Sequence, residues 1–554
     1  MGQQEPAQAM QLQPGTTWRR HLAALFLLEL LAVVVWWLYA FQPFEGLSPT
    51  SFGDSYDYAQ IARNIWRGAW RQGVTTYQIP PLALSVTDHL PFLDVIRAPL
   101  HPAVLALAFV LFGPWDRTIA VCTGALFLLS VPIVYLLGWR VFGATTALVA
   151  TLVYALSDWV LQVSVSGLSE PLYVVLFVGM LLLIYESGQR PTSRLVPLLS
   201  GAVAGFAYLA RYNTILFIPL IAIALFLADR RHRWLRPALF IIGWVVAASP
   251  WMIRNLIFFG QPLFSMQQWA MIMQTPTYPR FSLWKYVVHP SIPAFLLRHW
   301  PEMLAKVKDT LLAFYHTAPE DLSLTGGSPY TLILFLASLF QPLDRSRTAF
   351  RSLVCAMAVV QLLSLTVLHY IPRLLFPFYP LFLLFGLAFL VSLLEKWTSR
   401  RKATRKLSVV RPLVLAVAVV FLIVPTLEKL PVALRQGIWP RLLPVANLQK
   451  YGPAMAYLQA HTGDDAILIS DAMDIVSWYG DRACIWTPVA LEMVAQIEAR
   501  APVEGVYLTD RLFAWPEDEA WYEIYRTQPE AILDGRYRLE QVFDDGSLFY
   551  RRTR

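Results

Sequence analysis

The sequence predicts an all-α polytopic membrane protein of about eleven transmembrane helices with a small C-terminal α/β extracytoplasmic domain. Three observations carry that prediction. Hydrophobic residues fill 56% of the 554 positions and charged residues only 15%, with a mean hydropathy of +0.49, whereas a soluble domain carries about 25% charged residues. Apolar runs of about 17–25 residues, long enough to cross a bilayer, recur from Leu22 to Glu428. Lys and Arg gather in short clusters between those runs, at Arg19–Arg20, Arg140, Arg190–Arg194, Arg230–Arg236, Arg345–Arg351 and Lys396–Arg411, as positive cytoplasmic loops do. That clustering accounts for the net charge of +8 and argues against a nucleic-acid partner. Cys122 and Cys355 lie in apolar runs and Cys484 stands alone in the tail, so no disulfide framework or metal-type cysteine spacing is present.

Residues 1–18 are polar and predicted to be a disordered cytoplasmic N-terminus. The stretch "HLAALFLLELLAVVVWWLYAF" after Arg19–Arg20 is too long for a signal-peptide core and lacks a small-x-small cleavage site, so it reads as an uncleaved first span. "PLHPAVLALAFVLFG" (Pro99–Gly113) is short and opens on two prolines, which suits an interfacial or re-entrant helix. If it does not cross, the basic clusters all fall on one side. Crossings are then expected near 21–41, 117–139, 143–157, 170–186, 196–210, 212–228, 235–252, 329–341, 352–370, 374–394 and 410–428. The membrane domain is 19–430, with the N-terminus inside, the C-terminus outside and long outer loops at 42–98 and 253–328.

The remainder, 431–554, changes character. "PAMAYLQAHTGDDAILISDAMDIVSWYGDRACIW" alternates helix and strand around glycine turns, and "YRLEQVFDDGSLFYRR" reads as a hairpin around Asp545–Gly546. It holds no glycine-rich phosphate loop and no Ser/His/Asp spacing, so it is expected to be an outer lid or docking domain without chemistry of its own.

The polar residues near span ends all fall on the outer side, which the charge rule did not require. "GDSYDYAQIARNIWRG" places Asp54 and Asp57 three residues apart on one face of a helix, ended by Gly68 and Gly73. A capping role suits Asp54 equally well. Glu170, followed by Pro171, is an ordinary helix start, but an acid entering a membrane helix is costly and more often functional; Asp158 is the second choice in that loop. Arg211 and Arg373 sit at outer span ends, where snorkelling is the bland alternative and binding of a phosphate the sharper one. Arg254 is a third such arginine, His369 precedes Arg373 by four residues, and Arg97 and His101 stand at the mouth of the short helix. The outer tryptophans fit an interfacial belt or a sugar-stacking surface. Acids and arginines together at bilayer depth suit group transfer from a lipid phosphate: arginines hold the leaving phosphate and a carboxylate takes the proton of an incoming hydroxyl.

"GDSYDYAQIARNIWRG", "RAPLHPAVLALAFVLFG", "GLSEPLYVVLF", "AGFAYLARYNTILFIPL", "SPWMIRNLIFFGQPLFS" and "HYIPRLLFPFYPLFLL", in that order, resemble the polytopic GT-C glycosyltransferases. The branch they resemble is the dolichyl-phosphate-mannose–protein mannosyltransferase and aminoarabinose-transferase group (glycosyltransferase family 39-like). The tail resembles the outer domain of bacterial members, so the resemblance covers nearly the whole chain. It implies an integral protein of the plasma (inner) membrane that takes a sugar from a polyprenyl-phosphate donor and transfers it, with inversion, to a hydroxyl on a protein, lipid or polysaccharide acceptor. It also implies Asp54 as general base, Glu170 as the second-loop acid, Arg373 near the lipid phosphate, and in some members a divalent metal near Asp54 and Glu170. The sequence departs from the family at one point: the frequent Asp-Glu pair of the first loop is Asp54-Ser55 here. Either Asp57, one turn on, stands in for the glutamate or no second acid is needed. A transporter or flippase of lipid-linked or anionic substrates would place ionisable residues mid-span and show a helix repeat, and no repeat is visible. A lipid-diphosphate-dependent ligase or polymerase would carry more outer basic residues.

Overall fold

A computed structural model describes residues 16–47, 53–87, 89–190, 192–228, 233–317, 321–368, 371–400, 407–435, 446–514 and 516–553. Most of the N-terminal segment and His369 therefore lie outside the described residues. The helices run, in chain order, as α1 (Arg19–Phe41), α2 (Asp54–Trp66), α3 (Leu100–Phe112), α4 (Asp116–Phe142), α5 (Ala144–Ala155), α6 (Glu170–Gln189), α7 (Leu195–Ala210), α8 (Tyr212–Ala228), α9 (Leu235–Phe259), α10 (Trp300–Thr317), α11 (Tyr330–Ser338), α12 (Arg345–Val367) and α13 (Pro372–Thr398). Val410–Leu422 and Val424–Val432 follow as a pair bent by 65°. By length and composition six of the described helices can cross a membrane (α1, α4, α6, α9, α12 and α13), or seven if the bent pair is one span. The chain is an integral membrane protein. α3, α5, α7 and α8 are apolar but shorter. The crossing expected at 329–341 is in fact the nine-residue α11, about 14 Å long, too short for a bilayer core of about 30 Å. α3 has 13 residues and α5 has 12, about 20 Å and 18 Å, likewise shorter than that core.

Small residues set the closest helix contact. A Cβ on Gly201 of α7 would lie 1.9 Å from the Phe240 carbonyl oxygen of α9, and one on Gly243 of α9 would lie 2.2 Å from the Leu198 carbonyl oxygen. Only glycine lets these backbones touch, the usual way membrane helices associate when lipid removes the hydrophobic drive.

The tail sheet has seven strands: β1 (Gln78–Ile79), β2 (Ile467–Ser470), β3 (Ala483–Trp486), β4 (Val503–Leu508), β5 (Ala531–Ile532), β6 (Tyr537–Val542) and β7 (Leu548–Arg552), in the order β1-β3-β2-β4-β7-β6-β5. β1 belongs to the first loop, not the tail. It pairs parallel with β3, Gln78 opposite Cys484 and Ile79 opposite Ile485. The 253–328 loop joins the same core through Met266, Trp269 and Leu283, and its Lys285 forms a fully buried ion pair with Asp518. Parts of the 42–98 and 253–328 loops and the tail thus pack as one unit. The hairpin expected at Asp545–Gly546 is present as β6–β7, with Gly546 at φ +82°, a conformation that favours glycine.

Two sets of contacts tie the tail to α4 and to α2. Asp116, at the start of α4, accepts from Trp478 Nε1 at 2.7 Å and Tyr479 Oη at 2.6 Å. Arg63 of α2 donates to the carbonyls of Trp478 (2.6 Å) and Ser477 (2.5 Å) and pairs with Asp481 at 2.9 Å. α2 is held at its far end by the tail, and this aims its first turn into the bundle.

Candidate active site

α2 begins at Asp54, with Gly53 before it and no side-chain cap. Asp54 is therefore not the N-cap; its carboxylate faces away from the backbone, toward arginines. Both acids of the first turn sit where the helix dipole favours negative charge, and Gly68 at φ +100° ends the segment.

The ionic groups alternate in sign. Arg97 donates from Nε to Asp57 Oδ2 at 2.5 Å and from Nη2 to Asp54 Oδ1 at 2.6 Å. The other Asp54 oxygen pairs with Arg373. Arg373 Nε lies 3.8 Å from Glu170 Oε1, which Arg211 approaches at 2.8 Å. The chain of contacts is Asp57–Arg97–Asp54–Arg373–Glu170–Arg211: three carboxylates, three guanidiniums, formally neutral. Burial alone would lower the Arg97 pKa, but the Asp57 carboxylate beside it reverses the shift, so the guanidinium stays charged. Asp94, whose Oδ1 accepts from the amides of Ile96 and Arg97 at 3.2 Å, is pushed up to about 6 by burial and then by the charge of Asp57.

Four of the predicted residues, Asp54, Arg97, Arg211 and Arg373, line one cavity of 270 Å³. Leu216, Leu365, Leu368 and Leu374 are among its apolar lining. A cavity lined by both guanidiniums and leucines matches an anionic head on an apolar tail. Asp57 and Glu170 stand behind this lining. Glu170, 1% exposed, presses on Arg211 and Arg373, so a role through those arginines fits it better than direct contact with a substrate.

His101 also lies behind the wall. Its Nε2 is 3.0 Å from the Gly167 carbonyl oxygen and its ring meets Tyr58 edge-on at 5.0 Å; Tyr58 in turn lines the cavity. Arg254 is elsewhere: it donates to the carbonyls of Gly73 and Asp94 at 2.8 Å and stacks on Trp251 at 4.4 Å. It secures the first loop to α9. Asp158 bonds with Tyr39, Gln162 and Lys429.

The cavity also holds residues that the sequence reading passed over: Tyr212, Asn213, Gln267, Gln361 and Ser364. Asn213 donates to Gln361 Oε1 at 2.8 Å. Gln361 had a readable signal, an amide inside an apolar run, where polar groups are costly.

The residues present do not fit a divalent cation between Asp54 and Glu170, because the Arg373 guanidinium bridges those two carboxylates. Among the described residues no group of three or more His, Cys, Asp or Glu is arranged to hold a metal.

Comparison with known proteins agrees with this architecture. Residues 96–253 match the family model of dolichyl-phosphate-mannose-protein mannosyltransferase. ArnT from Cupriavidus metallidurans, solved bound to undecaprenyl phosphate, superposes with a TM-score of 0.57 at 14% identity over 97% of this chain and 98% of that one. The two chains share a fold. The archaeal oligosaccharyltransferase AglB from Archaeoglobus fulgidus, solved with an inhibitory peptide and a dolichol-phosphate, gives a TM-score of 0.57 at 14% identity over 97% of this chain and 75% of that one. No curated protein sequence matches. The family-model match runs from just before α3 into α9, and includes Arg97, Glu170 and Arg211 while leaving Asp54 and Arg373 outside it.

Proposed function

We propose that this protein is a membrane glycosyltransferase of the GT-C type that moves a sugar from a polyprenyl-phosphate carrier to an acceptor hydroxyl, with inversion, on the extracytoplasmic side of the plasma membrane. The observation that carries the reading is the cavity itself: Arg97, Arg211 and Arg373 share its lining with several leucines and with one carboxylate, Asp54. The basic clusters between spans support a cytoplasmic N-terminus and an outer tail.

In this reading the lipid tail lies along the leucines and the phosphate is held by the arginines, Arg97 and Arg373 exchanging the Asp54 carboxylate for it. Release from two guanidiniums makes Asp54 a better proton acceptor. The acceptor oxygen then forms its bond to the anomeric carbon as the bond to the phosphate oxygen breaks. The hydroxyl proton goes to Asp54, and the negative charge growing on the leaving phosphate is met by the arginines. A single displacement of this kind inverts the anomeric centre. Glu170 holds Arg211 and Arg373 in place, and Asp57 does the same for Arg97.

The test is transfer of radiolabelled sugar from a panel of polyprenyl-phosphate sugars by the purified full chain in native lipids, wild type against Asp54→Asn. Turnover by wild type alone supports the reading. Equal turnover by both removes Asp54 from the mechanism. Consumption of lipid-diphosphate donors only, or transport without transfer, would overturn it.

A further inference from the structure

α10 is amphipathic. Leu304, Leu311, Leu312 and Tyr315 are exposed on it, while Lys306, 5% exposed, points inward. The Lys306 ammonium donates to the backbone carbonyls of Ala270 at 3.2 Å, Met271 at 2.9 Å and Met273 at 2.6 Å, and to that of Leu368. These four acceptors are all carbonyls. An ammonium has three N–H donors, so one of them is shared. Burying a charge on carbonyl dipoles alone is costly, and a leucine or methionine would pack here without that cost. What the lysine adds is a joint between two segments distant in sequence.

Both segments belong to the cavity. Ala270 and Gln267 of the 266–273 turn line it, as does Leu368. Leu368 directly follows α12, where the last carbonyls of a helix lack partners within it, and a cation there is favoured by the helix dipole. Five residues further on stands Arg373.

We propose that Lys306 is a positioning residue of the donor site: its ammonium staples the 266–273 turn to the end of α12 and so sets the separation of two cavity walls, one of which leads directly into Arg373. The inference rests on the donor reading above. The staple itself is separate from that reading and is measured separately.

The experiment uses the full chain in nanodiscs of native lipids and compares wild type, Lys306→Met and Lys308→Met. The last removes the same charge from an exposed position on the same helix. Hydrogen exchange is read at amides 266–273 and 365–374, undecaprenyl phosphate binding by titration, and donor KM and kcat by radiolabel transfer. In Lys306→Met we expect exchange at both segments to rise about tenfold, undecaprenyl phosphate to bind about tenfold more weakly, and donor KM to rise by a like factor with kcat within twofold. Lys308→Met should match wild type. Unchanged exchange overturns the staple whatever the protein does. Faster exchange with unchanged lipid binding and KM overturns the positioning role, as does an equal fall in kcat and thermal stability with KM unmoved. If wild type binds undecaprenyl phosphate but turns over no donor, the transferase reading fails while exchange and binding still decide the role of Lys306. Should Lys306→Met not fold, Lys306→Gln, which keeps two N–H donors without the charge, is expected to show a rise of about threefold in exchange and KM; values equal to wild type would sink the proposal.

Discussion

Replacing Asp54 by Asn should separate binding from turnover, in opposite directions. In the resting site the Asp54 carboxylate occupies Arg97 at 2.6 Å and also pairs with Arg373. A lipid phosphate reaching the free edge of either guanidinium would lie about 5 Å from that carboxylate. At an effective dielectric constant of about 20, two unit negative charges at that distance repel by about 3 kcal/mol. Part of this is offset in wild type, because Asp54 can turn away once the phosphate takes its place. With half of it retained, Asn at position 54 strengthens undecaprenyl phosphate binding by about 1.4 kcal/mol, or tenfold. The same change removes the proposed proton acceptor and should lower transfer by about 10²–10⁴-fold. The assays are titration of the full chain with undecaprenyl phosphate and radiolabel transfer at saturating donor. Weaker binding by Asp54→Asn would refute the exchange of carboxylate for phosphate, since the carboxylate would then be supporting the anion site rather than competing for it.

Other perturbations have defined outcomes. The Asp94 pKa is raised in the folded protein to about 6, so the stability its protonated form contributes is complete below about pH 4 and is lost as pH rises through 6. The loss amounts to about 3 kcal/mol; Asp94→Asn should flatten the melting temperature between pH 4 and 7, and an unchanged profile would remove Asp94 as its source. Gly201→Val would drive a side chain into the Phe240 carbonyl and should destabilise the α7–α9 pair by about 1–3 kcal/mol, read as a lower melting temperature in detergent. Arg63→Met removes charge-assisted bonds to Ser477, Trp478 and Asp481. It should weaken tail docking by about 3 kcal/mol and speed proteolysis of the tail. Unaltered proteolysis would mean that the remaining contacts, Asp116 with Trp478 and Tyr479 and Arg67 with Asp481, suffice to hold the tail.

What was legible in the sequence was whatever a local pattern encodes. Apolar runs marked the spans, because a bilayer requires about 20 apolar residues in a row, and the alternation of helix and strand marked the tail from 446 onward. The placement of Asp54, Arg97, Arg211 and Arg373 on one side followed from charge and topology, and the four line one cavity. What stayed hidden depends on partners far away in sequence. β1 is two residues long and has no period to detect. Arg254 and Arg211 look alike as arginines at span ends, yet one bonds to loop carbonyls and the other to Glu170. α11 sits in an apolar run that reads as a short crossing, but only nine of its residues are helical. Lys306, in "EMLAKVKDT", gives no sign of the carbonyls it gathers.

The pairing of β1 with β3 has a consequence for how the protein is made. The two strands are about 400 residues apart in the chain, so a ribosome feeding the membrane delivers β1 to its compartment long before β3 exists. Until then the loop that carries Asp54 and Arg97 has an open edge and an incomplete core. The contact can close only if every helix between the two strands has been threaded so that both ends arrive on the same face of the bilayer. A miscounted crossing would leave the two halves of the sheet in different compartments. Completion of one small sheet therefore reports on the threading of the entire bundle, and a chain that fails it would present unpaired strands to the proteases of that compartment.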